Sequence, residues 1–503
     1  MSWAAPSQTS LPTAVLALGA LLIGLLVLAA VSLPPWSAVV VLGGVFGLLI
    51  LLSRLDLAFC LFIASEVLMT EDILLVTEKL YPTLYRTALP GILINPFEMV
   101  LVVLFVATLL SSRGRLVRTA LDMPLMGFGI ACILGYLTCV GLTGEPHRVF
   151  EPRRILHFYV AFFLAVNIIN SPARLRLLLW TFGVAVILKS LEGVYLYQLG
   201  AGLEIKWRIR AIFTDWGDGL NFVTYLLFVL LLLLRRPQGV SWKWWVLFWP
   251  MVLFTLINTY KRAYYVGFAF ALGCLFLLEG GRRRFRFLLL SSVAFALLLA
   301  LITATDRWYA VTQSVWSIFH PTKESSAHYR LVEWQNALIS VRRYPWLGIG
   351  LGGILEMVLF LPRTNLLGVH NTYLWVAVKM GVIGLLTYLW LILSFVGQMM
   401  RQRRQLPDSF RLWVNQGLLL SFIAFLAAQF FAPMFSQMRT STWMGVVMGL
   451  GVMLPFLGES GGRNTECGME RDDGGPGCST ELREPSAHTK LHSKVHKWGM
   501  AQG

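Results

Sequence analysis

The stretch HNTYL, which begins at His370, carries the side chain best suited to proton transfer near neutral pH. A long polar stretch, residues 305–369, precedes it, and an apolar run from residue 372 to about residue 396 follows. His370 therefore stands just before the first turn of a predicted helix, where free N–H groups favour an anion and disfavour imidazolium. A neutral imidazole is what a general base needs. The sequence suggests His370 as a base, with Asn371 or Thr372 capping the helix.

Arginine suits phosphate oxygens because its planar fork makes paired, charge-assisted hydrogen bonds. Four arginines in segments assigned to the same side as His370 are candidates for such a role: Arg208, Arg210, Arg262 and Arg330. The alternative interpretation is simpler. His370 would only cap the helix or sit in the headgroup layer, and the arginines would pair with lipid headgroups or nearby carboxylates.

The elements that must position these residues are membrane helices. The chain of 503 residues is 57% hydrophobic and 14% charged, and apolar runs near the spanning length of ~20 residues recur along it. They fall at about residues 11–31, 36–53, 56–70, 93–112, 121–142, 155–170, 177–200, 220–234, 244–258, 264–280, 287–304, 372–399, 411–432 and 440–457. The expected fold is an all-α, polytopic helical membrane protein with about 12–14 transmembrane helices and one large outer loop, residues 305–369.

The net charge of +16 is concentrated in short clusters between apolar runs, which is a topology signal rather than a sign of nucleic-acid binding. Basic clusters at residues 113–118, 174–176, 235–243, 282–286 and 401–404 fall in alternate loops. The bias of Lys and Arg towards the cytoplasm places all five clusters inside. Both termini are then cytoplasmic, and the loop before His370 faces outward.

Inside the large loop, Leu331, Trp334, Leu338 and Val341 recur at helical spacing and predict an amphipathic helix on the membrane surface that ends before Pro345. A flexible glycine turn at residues 348–353 follows.

Within the membrane, the spacing predicts a Lys189–Glu192 pair. Lys379 either snorkels or helps to hold phosphate. The outer loops offer no acidic cluster at metal-ligand spacing, so we expect neither a metal nor a cofactor.

Several motifs together resemble the shared domain of bacterial O-antigen ligases and related polysaccharide polymerases. They are Arg330-x3-Trp334-x2-Ala337, Pro345-x2-Gly348-x-Gly350, His370-Asn371-x-Tyr373-Leu374, Gly381-x2-Gly384, and, upstream, Arg210-x2-Phe213 and Tyr260-Lys261-Arg262-Ala263. The resemblance defines a ligase-like domain (residues 190–457) after the N-terminal helices (1–189). The polar, Gly-rich composition after residue 457 separately predicts a disordered cytoplasmic tail (458–503). Where the family commonly has Pro-Asn, this chain has Asp215-Trp216-Gly217-Asp218, which leaves open whether Arg208 or Arg210 is the matching arginine.

The resemblance implies a metal-independent, inverting glycosyltransferase of the bacterial inner membrane, whose donor is a glycan on undecaprenyl pyrophosphate. His370 would be the base for the acceptor hydroxyl, with Asn371 beside it on the substrate. Arg210 and Arg330 would hold the pyrophosphate, with Arg262 as a third group. The acceptor would be lipid A–core for a ligase or a growing polysaccharide for a polymerase.

The ligase is the favoured interpretation because the single large outer loop leads directly into the His370 helix. A polymerase has the same donor chemistry and remains the close alternative. A lipid-linked oligosaccharide flippase is expected to show two related halves and several charges at the membrane midplane. The sequence shows no such repeat, and its arginines cluster in the outer loops.

Overall fold

The structure, a computed structural model, describes residues 54–68, 96–111, 117–144, 150–199, 203–205, 209–211, 216–237, 242–304, 325–355, 369–406 and 410–458. The helices are α1 (Leu55–Leu68), α2 (Pro96–Ser111), α3 (Asp122–Thr143), α4 (Phe150–Ile168), α5 (Pro172–Gln198), α6 (Trp216–Arg235), α7 (Trp242–Leu247), α8 (Trp249–Asn258), α9 (Arg262–Leu278), α10 (Gly281–Ala304), α11 (Ser325–Arg343), α12 (Thr372–Gln405), α13 (Phe410–Ala428) and α14 (Met438–Met453). One short antiparallel hairpin joins β1 (Leu203–Ile205) to β2 (Ile209–Ala211).

The all-α membrane fold is confirmed, because every predicted apolar segment that falls in the described residues coincides with a helix. Six of these helices are long and apolar enough to cross a membrane: Asp122–Thr143, Pro172–Gln198, Gly217–Arg235, Thr372–Gln405, Phe410–Ala428 and Met438–Leu457. The segments predicted at 11–31 and 36–53 lie outside the described residues, as does the tail after residue 458.

Close backbone contact holds α14 along α4. Gly445 and Gly449 are four residues apart on α14, so they lie on one face of that helix. A Cβ at Gly445 would stand 2.3 Å from the carbonyl oxygen of Phe158, and one at Gly449 would stand 2.8 Å from the Cβ of Ala165. Small residues at this spacing let two helix backbones approach closely, which is a common basis of helix association in membranes.

Helix α12 is broken near its first third. Gly381 has φ 65° and ψ −164°, a backbone conformation that favours glycine and interrupts the helical hydrogen bonds. Three main-chain bonds from the preceding loop fill the gap: Ile349 N–H to Val378 O (2.9 Å), Gly350 N–H to Lys379 O (3.0 Å) and Val382 N–H to Pro345 O (2.8 Å). The glycine turn predicted to be flexible is therefore anchored on the helix that follows His370.

The predicted helix of the large loop exists as α11 and ends at Arg343, before Pro345. Its burial differs from the expectation. Leu331 and Leu338, two members of the predicted apolar stripe, are exposed, whereas Glu333, Asn336 and Ala337 are almost completely buried. The face of α11 that packs against α12 is thus mixed, with Glu333 and Asn336 buried beside Val332 and Ala337. Trp334 and Val341, the other two members of the predicted stripe, are partly buried against the core.

Candidate active site

The imidazole of His370 is paired with the carboxylate of Glu333. His370 Nδ1 lies 3.0 Å from Oε2 and 3.2 Å from Oε1 of Glu333, and the main-chain N–H of His370 donates to the same Oε1 at 3.1 Å. The Glu333 side chain is completely buried, while that of His370 is 38% exposed. Burying a carboxylate without a partner would cost free energy. The bonds to His370 avoid that cost and hold both side chains in place.

This pairing determines which ring nitrogen can accept a proton. An ionised carboxylate only accepts hydrogen bonds, so Nδ1 of His370 must carry a hydrogen and donate it to Glu333. The neutral ring then has an unprotonated Nε2, which is the nitrogen a general base needs. The carboxylate also stabilises the imidazolium that forms when Nε2 takes a proton. The anion at the start of α12 is therefore the side chain of Glu333 within this protein.

The residues after His370 fix the start of α12. Asn371 is the N-cap, as predicted, and its Oδ1 accepts the N–H of Leu374 at 3.0 Å. Thr372 is completely buried. Its hydroxyl donates to Ala432 O at 2.9 Å and accepts the N–H of Met434 at 3.0 Å. The backbone under His370 is thus tied to the turn that leads into α14.

Helix α11 brings two further polar side chains to the same end. The ring of Tyr329 meets the ring of His370 edge-on, with centroids 6.5 Å apart. Burial and the carboxylate of Glu333 raise the pKa of Tyr329 above its usual value, so its hydroxyl stays protonated. Arg330 is half-buried and stands one turn before Glu333, which places it on the same side of α11.

Arg262 is placed at this end of the bundle by contacts of its helix. It is half-buried and is the first residue of α9. Two residues later, the hydroxyl of Tyr264 donates to Sδ of Met434 at 3.9 Å. Met434 also contacts Thr372, so the start of α9 and the start of α12 pack against the same turn.

The other predicted site residues are less fully placed. Arg210 lies in β2 opposite Glu204, and its side chain is outside the described part of the structure. Arg208 lies wholly outside the described residues. Asn371 is buried, and its Oδ1 is used by the helix cap.

The two expectations for Lys379 are wrong. Its ammonium group neither snorkels to the surface nor faces a substrate, because the side chain is 1% exposed and forms an ion pair of 2.8 Å with Glu151. The other predicted intramembrane pair, Lys189 with Glu192, is confirmed at 2.8 Å. Sequence reasoning missed both Glu333 and Glu151 as partners. Glu333, Asn336 and Ala337 are three and four residues apart, so they lie on one face of α11, and all three are buried. This helical spacing was the sequence signal that could have placed Glu333 on the buried face.

The described fold and site define a class: a multi-pass helical membrane protein with a carboxylate–imidazole pair and arginines at one end of its bundle. A family model described as O-Antigen ligase matches residues 246–389, which include Arg262, Arg330, Glu333 and His370. Residues 246–389 are thus similar to the O-antigen ligase family, in agreement with the resemblance, and the apolar helices mark a multi-pass inner-membrane protein.

One curated relative also matches. Over 149 residues, this chain is 33% identical to the probable peptidoglycan glycosyltransferase FtsW of Nitrosococcus halophilus (strain Nc4). The match covers 29% of this chain and 35% of the relative, so the chain spans about a third of that protein's length.

Proposed function

We propose that this protein is a membrane glycosyltransferase that moves a glycan from undecaprenyl pyrophosphate to an acceptor hydroxyl. The observation that carries the proposal is the Glu333–His370 pair inside the O-antigen ligase domain, with the ring of His370 partly exposed. Arg330 on the helix of Glu333 and Arg262 at the start of α9 supply positive charge at the same end. A base beside cationic groups suits a reaction in which a hydroxyl loses a proton and a diphosphate leaves.

The proposed reaction is a direct displacement. Nε2 of His370 takes the proton of the acceptor hydroxyl while the oxygen attacks the anomeric carbon of the donor sugar. The bond from that carbon to the pyrophosphate oxygen breaks, and its electron pair leaves with undecaprenyl pyrophosphate. One displacement inverts the anomeric centre. Arg330 and Arg262, with Arg210 or Arg208 from the β1–β2 segment, stabilise the charge that develops on the diphosphate.

Glu333 acts through His370 in this proposal. It holds the ring with Nε2 directed away from the carboxylate and stabilises the imidazolium during proton transfer. Because diphosphate is a good leaving group, positioning and charge stabilisation with one base are sufficient, and the transfer needs neither a metal nor a cofactor.

The favoured acceptor is lipid A–core, which makes the protein an O-antigen ligase. The large loop that contains α11 supports this proposal, because it leads directly from the base-holding carboxylate into the His370 helix. The alternative is a polymerase that adds repeat units to a glycan on its carrier. In either case we place the His370 end at the periplasmic face and both termini in the cytoplasm, on the basis of the Lys and Arg distribution.

The decisive experiment is glycan transfer by the purified protein in detergent. The reaction contains undecaprenyl-pyrophosphate glycan and truncated lipid A–core, with and without EDTA, beside the His370→Ala protein. We expect glycan on the core in both EDTA conditions and none from His370→Ala. A ladder that grows on the lipid carrier would identify a polymerase, and full activity of His370→Ala would overturn the assignment of the base.

A further inference from the structure

The end of α11 and the turn that follows it form an exposed, amphipathic surface. Trp346 is 68% exposed, Tyr344 is 40% exposed and Leu347 is also exposed. Arg343, the last residue of α11, is exposed beside them. In the part of the chain that the structure describes, the guanidinium of Arg343 has no carboxylate or carbonyl partner. These four residues are called the exposed turn. Large apolar side chains grouped at a polar border mark an interaction surface.

The exposed turn is an ordered element, because its main chain is held from behind. The N–H of Gly348 donates to Tyr344 O at 3.2 Å, and the N–H of Val382 donates to Pro345 O at 2.8 Å. The carbonyl of Trp346 packs so closely on Gly381 that a Cβ there would collide with it. The main chain therefore faces the break in α12, while the side chains of Trp346 and Leu347 face outward.

The position of the turn along α12 gives its depth. Beyond the break, α12 carries four exposed apolar residues at spacings of three and four, so they form one stripe that faces lipid: Ile383, Leu386, Trp390 and Leu393. From residue 382 to residue 400 the helix rises roughly 27 Å, close to the ~30 Å of a hydrocarbon core. With the basic cluster at residues 401–404 at the cytoplasmic boundary, the break and the exposed turn lie at the outer boundary.

The side chains of the exposed turn suit that boundary. Trp and Tyr are enriched at the membrane–water interface because each has an apolar ring and a polar tip. Leu347 adds apolar surface that continues the lipid-facing stripe of α12. The guanidinium of Arg343 matches phosphate oxygens through its planar fork. The order from Arg343 through Tyr344 to Trp346 and Leu347 thus runs from charge to hydrocarbon, as a headgroup layer does.

We propose that the exposed turn docks on the outer leaflet and that Arg343 binds the phosphate of an anionic phospholipid. Trp346 and Leu347 lie between the headgroups and the acyl chains. A lipid with net negative charge is favoured, because the ammonium group of a zwitterionic lipid offsets the attraction of its phosphate for Arg343. The same turn fills the break in α12, so this contact fixes the half-helix that begins beside His370 relative to the bilayer. The sequence placed the membrane contact on one face of α11, whereas this inference places it on the turn after α11.

Site-specific photocrosslinking of the full chain tests the contact. The protein is placed in nanodiscs of phosphatidylglycerol and phosphatidylcholine in equal amounts with identical acyl chains, with p-benzoylphenylalanine in place of Trp346. We expect lipid adducts on the peptide that contains residue 346, with phosphatidylglycerol favoured about fivefold, the ratio that ~1 kcal/mol of attraction by one basic side chain gives. The same label at Trp390, on the lipid-facing stripe, should report the bulk lipid ratio. At Gln335, on the exposed face of α11, it should give no lipid adduct.

A charge reversal tests the role of the arginine. Arg343→Glu should remove the preference for phosphatidylglycerol at position 346, and Arg343→Lys should keep most of it. Unchanged adducts at position 390 in both variants show that they fold. The proposal is overturned if position 346 forms no lipid adduct, crosslinks to another segment of this chain or to a second copy, or captures the two lipids equally with Arg343 intact. Equal lipid adducts at position 335 would place the contact on the whole of α11 and also overturn it. The readout needs no glycan transfer, so it is independent of the proposed reaction.

Discussion

Lys379 and Glu151 form a buried ion pair of 2.8 Å that joins the broken helix of His370 to the start of α4. Each partner also holds the glycine turn. Glu151 Oε2 accepts the N–H of Gly352 at 2.6 Å, and the ammonium group of Lys379 donates to the carbonyl of Gly353. The pair therefore fixes the loop that fills the break in α12, and with it the short half-helix that begins beside His370.

Removal of one partner should destabilise the protein strongly. Lys379→Met leaves Glu151 as a buried charge without its cation, which costs about 3–5 kcal/mol. The double variant Lys379→Met with Glu151→Gln should lose less stability, because it buries no unpaired charge and the neutral amide still accepts the N–H of Gly352. Thermal unfolding in detergent measures both, with Arg404→Gln at an exposed position of the same helix as control. Equal losses in the single and double variants would contradict the pairing.

Glu333→Gln should lower kcat and leave KM for the donor nearly unchanged. The amide keeps the shape of the side chain but loses the charge that stabilises imidazolium and holds the ring. Loss of efficient general-base catalysis corresponds to about 10²–10⁴ in rate. The measurement is initial-rate kinetics of transfer, and Gln335→Ala, at an exposed position of the same helix, serves as control. Near-normal kcat in Glu333→Gln would show that the carboxylate only supports the fold.

Arg330→Lys should raise KM for the donor by roughly tenfold, equivalent to about 1.4 kcal/mol. Lysine keeps the charge but lacks the planar fork that binds two phosphate oxygens at once. Titration of the donor at saturating acceptor measures the effect. Arg342→Lys is the matched control because Arg342 is exposed near the far end of α11. If both variants bind the donor like the wild type, Arg330 does not contact phosphate.

Gly445→Ala should destabilise the contact between α4 and α14. The added Cβ would stand 2.3 Å from a main-chain carbonyl, which only a shift of one helix can relieve, at about 1–3 kcal/mol. Gly397→Ala is the control, since a Cβ there meets nothing within 4 Å and alanine favours the helix. In denaturation experiments in mixed micelles, Gly445→Ala should be less stable than the wild type, and Gly397→Ala should be equally or more stable.

Cysteine labelling tests the orientation. In a background with Cys467 and Cys478 replaced by serine, Gln335→Cys on α11 should react with an impermeant maleimide added outside intact spheroplasts. Gln405→Cys, at the last residue of α12, should react only after permeabilisation. Both positions are exposed, so accessibility to solvent is matched. The reverse pattern would invert the topology proposed from the basic clusters.

The sequence by itself determined the elements that depend on local properties. Apolar runs of spanning length locate helices because each helix satisfies its own backbone hydrogen bonds in lipid. The Asn371 cap and the Lys189–Glu192 pair follow from spacing within one element, and both are present. The position of His370 before a helix start also indicated proton transfer from the sequence alone.

Only the tertiary structure decided which side chains meet. Glu333 lies 37 residues from His370, and its role depends on α11 burying Glu333 and Asn336 beside apolar residues, whereas the sequence pattern suggested an apolar stripe alone. The partner of Lys379 and the order of the glycine turn likewise depend on how α3, α4 and α12 pack around the break at Gly381. Helical spacing places residues on a face, but the face that is buried is set by contacts between distant segments. Such contacts form only when the packing offsets the entropy lost in closing long loops. A local sequence pattern does not contain that information.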